Sequence, residues 1–90
     1  MRIIAEIPHP EFKVTVFQMN GKLSVKLEKN LLEQTYKFRD GAGIATVEDV
    51  KSFLTEALYL EVDHIFSLMQ KNRYQGLLSA HPEDEFDNII

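Results

Sequence analysis

Apolar and polar residues alternate along two neighbouring segments of the chain, 12–19 and 22–28. A period of two is typical of β-strands with one buried face. The dipeptide Asn20-Gly21 separates the segments, and a two-residue Asn-Gly loop favours a type I′ hairpin because both positions require positive φ. That turn places Val16 opposite Val25 on a shared apolar face. We therefore predict a β-hairpin whose register is fixed by its turn.

A shorter alternating segment over 2–7 predicts a strand before the hairpin. The residues predicted to face the core are Ile3, Ala5 and Ile7, and the apolar residue predicted on the outer side is Ile4. Pro8 and Pro10 then interrupt the ladder, because neither has an N–H to donate. We expect a turn between this strand and the hairpin.

A further alternating segment over 31–38 predicts a fourth strand. We place the two-residue loop before it at Lys29-Asn30, which sets Leu27 opposite Leu32 on the apolar face. Gln34 is a polar residue on that face, and we expect its amide to be satisfied by a hydrogen bond. The four strands then form an antiparallel meander.

A helical period replaces the alternation after the link at 40–43. Thr46 is the predicted N-cap, and apolar residues then recur at steps of three and four as far as Met69. Gly76 is the predicted terminator, so the helical region covers 47–75. Unbroken, it would be about 43 Å long, against about 26 Å for an eight-residue strand. The helix therefore either breaks near 59–63 or extends past the sheet.

The apolar arc of this helix is wider than one sheet face usually covers. The residues on its two flanks are Phe53, Leu60, Tyr59 and Phe66. Either a kinked helix pair folds back over the sheet, or a second subunit covers these side chains. We predict a homodimer with these four residues in its interface, in a small non-enzymatic module that binds a protein partner.

The predicted fold class is α+β, with a four-stranded antiparallel meander and a long or broken C-terminal amphipathic helix on one face. Ninety residues correspond to one domain, which we place at 1–78. Residues 79–90 are acidic with isolated hydrophobic residues, and we expect a flexible tail. No apolar run approaches the roughly 18 residues that span a bilayer, and the N-terminal residues do not match a secretory signal. A cytoplasmic location is the default expectation.

Catalytic and metal-binding signatures are missing from the sequence. It contains no cysteine, and His9, His64 and His81 lie in three separate segments. The step Glu61-Val-Asp-His64 resembles half of a carboxylate di-iron motif, which needs a second copy and further glutamates. We therefore expect no enzyme activity, no cofactor and no metal.

Binding of single-stranded nucleic acid on the outer sheet face is the alternative function. The residues that would form this face are Lys13, Phe17, Lys22, Lys26 and Lys37. Lysines contact phosphates and an aromatic ring stacks on bases. The element order resembles, in architecture alone, the Pur-type and coactivator-type domains that bind single strands as helix-paired dimers. The net charge of −4 opposes this alternative.

Overall fold

Four antiparallel strands form a single sheet in the computed structural model, which describes residues 1–81. The strands are β1 (Arg2–Ile7), β2 (Lys13–Met19), β3 (Lys22–Lys29) and β4 (Leu32–Lys37), in the spatial order β1-β2-β3-β4. Helices α1 (Val47–Phe53) and α2 (Glu56–Ala80) follow. The predicted α+β class and meander are confirmed. The predicted flexible tail lies outside the described residues from position 82 onward.

The core lies between the inner face of the sheet and the two helices. Its buried members are Phe12, Val14, Val16, Leu23, Val25, Leu27, Val50, Leu54, Val62 and Phe66. Val16 pairs with Val25 as predicted from the Asn20-Gly21 turn. Gln34 reaches across to the helix, and its Nε2 donates to the carbonyl of Val62 at 3.0 Å. That bond satisfies the amide, as expected from its place on the apolar face.

A β-bulge in β1 changes which isoleucine faces the core. Ile3 pairs with Phe17 and Ala5 pairs with Val16, so Ile4 is an extra residue in the strand. Ile3 is 60% exposed on the outer face, whereas Ile4 packs against the core. The predicted facing of both isoleucines is wrong, because one inserted residue shifts the alternation.

The turn between β3 and β4 consists of Asn30 and Leu31, whose φ values are +52° and +64°. Lys29 pairs with Leu32, and Leu27 pairs with Gln34. The predicted Lys29-Asn30 loop is therefore wrong by one residue, which moves the pairing by two. Because the side-chain period is also two, every residue of β4 keeps its predicted face.

The helical region breaks at Leu54-Thr55 and not near 59–63. Thr46 starts α1 as predicted, since its hydroxyl accepts from the Asp49 N–H at 3.1 Å and the Asp49 carboxylate accepts from the Thr46 N–H at 3.0 Å. Thr55 then caps α2, with its hydroxyl accepting from the Leu58 N–H at 3.2 Å. The two caps satisfy otherwise unpaired N–H groups and separate the helices.

Helix α2 runs through Gly76 and ends at Ala80, so the predicted end at Gln75 is wrong. A single glycine inside a helix costs only about 1 kcal/mol relative to alanine, and Leu77, Leu78 and Ala80 continue the helix well. With 25 residues the helix is about 37 Å long. The radius of gyration is 16.3 Å, against about 12 Å for a compact chain of this size. The helix therefore extends past the sheet.

Candidate functional site

Three of the four predicted interface residues pack inside the single chain. Phe66 is 4% exposed and its ring centroid lies 5.7 Å from that of Phe12. Tyr59 also lies against Phe12, with 6.0 Å between the ring centroids. Phe53 contacts the rings of Tyr36 and Phe38 edge-on at 5.5 and 5.0 Å. These three rings pack against the chain's own core, where Phe66 is buried and Phe53 and Tyr59 are partly buried.

Leu60 is the predicted interface residue that remains outside, with 69% of its surface exposed. The break at Leu54-Thr55 explains why Leu60 stays exposed. Helix α2 is rotated about its own axis relative to an unbroken continuation of α1, so a different side of it faces the sheet. Val62 and Phe66 then point to the sheet, and Ile65 turns outward. A helical wheel started at the Thr55 cap would have given this phase from the sequence.

An exposed surface runs along α2 on the side turned away from the sheet, and we call it the outer face of α2. Its members are Ala57, Leu60, Glu61, His64, Leu68, Lys71, Asn72 and Gln75, all of which are exposed. At about 100° per residue they fall within one third of the helix circumference, opposite Val62 and Phe66. Leu68 is 53% exposed, and Ile65 lies at the border of this face. The sequence reasoning missed Leu68 and Lys71.

Charge is unevenly distributed along the outer face of α2. Glu61 lies in the first half of the helix, and Lys71 lies in the second half. Within residues 1–81 neither side chain has an ion-pair partner. One end of the face is therefore acidic and the other basic, with leucines between and beside them.

A shallow groove of about 370 Å³ lies along this helix. The residues that line it are Ile65, Leu68, Met69, Lys71, Asn72 and Gln75. Its apolar part belongs to Ile65, Leu68 and Met69. The groove can receive an apolar side chain from another molecule, but it is too open to enclose a small ligand.

A second concavity, of about 440 Å³, lies between the β1–β2 link and the start of α2, and we call it the aromatic cleft. The residues that line it are His9, Pro10, Glu11, Phe12, Glu56, Tyr59, Leu60 and Asp63. His9 Nδ1 accepts from the Glu11 N–H at 3.1 Å. The centroid of the His9 ring lies 4.2 Å from that of the Tyr59 ring. Burial raises the pKa of Tyr59. Aromatic walls with carboxylates at the rim can accommodate a cationic group.

Lys29 joins β3 to α2 beside the aromatic cleft. Its Nζ lies 3.0 Å from Asp63 Oδ1 and 3.4 Å from Glu11 Oε1. The hydrogen bond to Asp63, followed by that to Glu11, raises the pKa of Lys29 despite some desolvation. The ammonium also lies 5.4 Å from the centre of the Phe12 ring. Lys29 is therefore already paired with Asp63 and Glu11, two of the carboxylates that a cationic ligand in the aromatic cleft would need.

The outer sheet face carries lysines, but carboxylates accompany them. Lys26 pairs with Glu28 at 3.2 Å and with Glu33 at 3.8 Å. Its Nζ also lies 5.2 Å from the centre of the Phe17 ring. Lys26 therefore covers the one ring of this face that could stack on a base.

The remaining lysines of this face are spread across three strands. Lys22 lies 3.9 Å from Asp40, and Lys13 is in register with Glu28. Lys37 is in register with Ser24 on β3. The structure places all of the predicted nucleic-acid residues on one face, with acidic neighbours beside most of them.

An unusual side chain stands at the tip of the β3–β4 hairpin. Leu31 is 99% exposed and adopts φ of +64°, a conformation that costs a non-glycine residue about 1–2 kcal/mol. Arg73 of α2 donates from Nη1 to the carbonyl of the neighbouring Asn30 at 3.0 Å. The hairpin tip is thus held to the helix.

No group of three or more His, Cys, Asp or Glu side chains that could hold a metal ion occurs among residues 1–81. In the same range, neither helix has the length and apolar content to cross a membrane. Comparison with protein-family models, with curated proteins and with solved structures gave no significant match.

Proposed function

We propose that the protein is a small non-enzymatic interaction module that forms a homodimer through the outer face of α2. The observation that supports this proposal is the exposure of Leu60 and Leu68 on the side of α2 turned away from the sheet. Neither leucine belongs to the core of its own chain. Covering them in a second molecule would remove apolar surface from water at about 25 cal/mol per Å².

We favour a second copy of the chain as the binding partner. The outer face of α2 carries one acidic and one basic side chain, and these can pair with each other between two copies. Its acidic Glu61 and basic Lys71 both lack partners in residues 1–81. A contact confined to one helix from each copy falls at the small end of specific interfaces, below about 1,200 Å². We therefore expect weak, reversible association, with a dimer Kd of roughly tens of micromolar.

Nucleic-acid binding is the competing function, and the outer sheet face gives it little support. Lys26 is engaged by two carboxylates and covers Phe17. Release of counterions, the main source of affinity for a polyanion, depends on lysines that are free to replace them. We propose that the module binds protein and not nucleic acid.

Sedimentation equilibrium across dilution tests the homodimer. We expect dimer at several hundred micromolar and monomer near 1 µM for the natural chain. The double variant Leu60→Glu/Leu68→Glu should remain monomeric throughout and keep the circular dichroism spectrum, since both positions are exposed. Ile3→Glu is the matched control, because Ile3 is similarly exposed but lies on the outer sheet face.

A strict monomer at several hundred micromolar would reject the homodimer. Fluorescence anisotropy with a labelled single-stranded oligonucleotide at low salt separates the two functions. We expect no binding. Binding that weakens steeply as salt rises, and that is lost in Lys13→Glu/Lys37→Glu, would establish the competing function in its place.

A further inference from the structure

The orientation of the two helices in the proposed homodimer follows from the charges on the outer face of α2. Parallel helices would place Glu61 beside its own copy and Lys71 beside its own copy, which is repulsive in both places. Antiparallel helices place the acidic half of one copy against the basic half of the other. Charge complementarity therefore favours the antiparallel arrangement.

The register follows from pairing Glu61 with Lys71 of the second copy. A two-fold axis relates the copies, so the same contact forms twice. The midpoint of the two positions is residue 66, which places the axis beside the third turn of α2. In this register His64 of one copy faces Leu68 of the other, and the sheets lie on the far sides of the two helices.

The positions of the leucines are compatible with this register. Leu60 faces Asn72 of the second copy, and Leu68 faces His64 of the second copy. Along the common axis the four leucines of the dimer then alternate between copies at intervals of four residues, or about 6 Å. Each leucine faces a polar residue of the other helix, and the two charge pairs lie inside the span of the four leucines, near its ends.

We propose that two copies associate through antiparallel α2 helices, with Glu61 of each copy facing Lys71 of the other. This inference rests on the homodimer proposed above and adds its orientation and register. The second copy docks against the outer face of α2 alone, and neither the sheet nor the buried rings take part.

Charge reversal tests the register. Glu61→Lys and Lys71→Glu each place two like-charged pairs in the dimer, and we expect each to raise the dimer Kd at least about tenfold. The double variant Glu61→Lys/Lys71→Glu restores both pairs with exchanged signs, and its Kd should return to within about threefold of the natural value. Glu6→Lys and Lys37→Glu are controls that change net charge equally at exposed positions of the sheet.

Spin labelling tests the orientation directly, because the chain has no cysteine and a single Ser79→Cys gives one label per copy. Ser79 is exposed beyond the paired segment. The antiparallel register predicts a label separation of roughly 40 Å across the dimer, whereas parallel helices predict less than about 20 Å. The measurement is double electron–electron resonance on the concentrated protein.

The outcomes separate the two proposals. A dimer whose Kd is unchanged by either single reversal, or whose labels lie close together, overturns the antiparallel register and leaves the homodimer standing. A chain that stays monomeric overturns both. Weakening by each single reversal, recovery in the double variant and a long label distance together establish the arrangement.

Discussion

The two hairpins of the sheet use the same kind of turn with different residues. The β2–β3 turn is Asn20-Gly21 with φ of +53° and +76°, and the β3–β4 turn is Asn30-Leu31 with φ of +52° and +64°. Glycine adopts such values without steric cost, whereas leucine does not. The second hairpin therefore carries strain that the first one avoids.

Contacts with α2 explain how the strained turn persists. Lys29, Gln34 and the Asn30 carbonyl all make hydrogen bonds to α2. Within residues 1–81 the Asn20-Gly21 turn makes no side-chain hydrogen bond. The first hairpin is therefore specified by local turn chemistry, and the second by tertiary contacts.

Gly21→Leu should have the largest effect on stability. Nothing lies within 4 Å of a Cβ at this position, so the change brings neither a clash nor a new contact. The remaining cost is backbone strain at φ of +76°, farther from the left-handed minimum than Leu31. We expect a loss of about 1–2 kcal/mol of unfolding free energy. Urea denaturation measures it, and an unchanged midpoint would contradict local control of the first turn.

Leu31→Gly should have a smaller effect of opposite sign. It removes strain, but the more flexible glycine loses more entropy on folding. We expect a gain of about 0.5–1 kcal/mol, or a rise in Tm of several degrees for a domain of this size. Thermal unfolding measures the change, and Leu31→Asn is a matched variant that should give part of the gain. Destabilisation by Leu31→Gly would mean that the leucine side chain stabilises the fold.

Lys29→Met should have the smallest effect near neutral pH and a distinct effect in alkali. The hydrogen bond to Asp63 raises the pKa of Lys29 above its ordinary value of 10.5. The stabilisation is therefore fully present below about pH 10.5 and lost as pH rises through the higher folded value. The Tm of the natural chain should fall more than that of Lys29→Met over this interval. Lys37→Met, which removes a lysine from the outer sheet face, should follow the natural chain.

Local chemistry decided which parts of the fold the sequence could predict. The Asn20-Gly21 turn and the Thr46 cap each carry a strong residue signal, and both were confirmed. Leu31 has no turn propensity, so the second turn was predicted one residue too early. The strand pairing moved by two residues as a result, and every residue of β4 kept its predicted face. The break at Thr55 carried a weaker signal because its cap lacks the reciprocal acidic residue of a full capping box.

The candidate site was less predictable because exposure on a helix depends on rotational phase. An apolar arc identifies residues that need cover, but it does not say which of them the chain covers itself. Tyr59 and Phe66 found partners in Phe12, a residue distant in sequence. Leu60 stayed exposed. Leu68 could be placed on the same exposed face only when the first residue of α2 was known.

The bulge at Ile4 has a consequence for how this chain could vary in length. If Ile4 were deleted, the pairs Ile3–Phe17 and Ala5–Val16 would become consecutive, and β1 would form a regular ladder with β2. The deletion would remove one side chain that packs against the core and would keep every residue pair between β1 and β2. The same deletion within β2 would reverse the facing of half the strand. Loss of the Ile4 codon should therefore be tolerated better than loss of any single codon within β2.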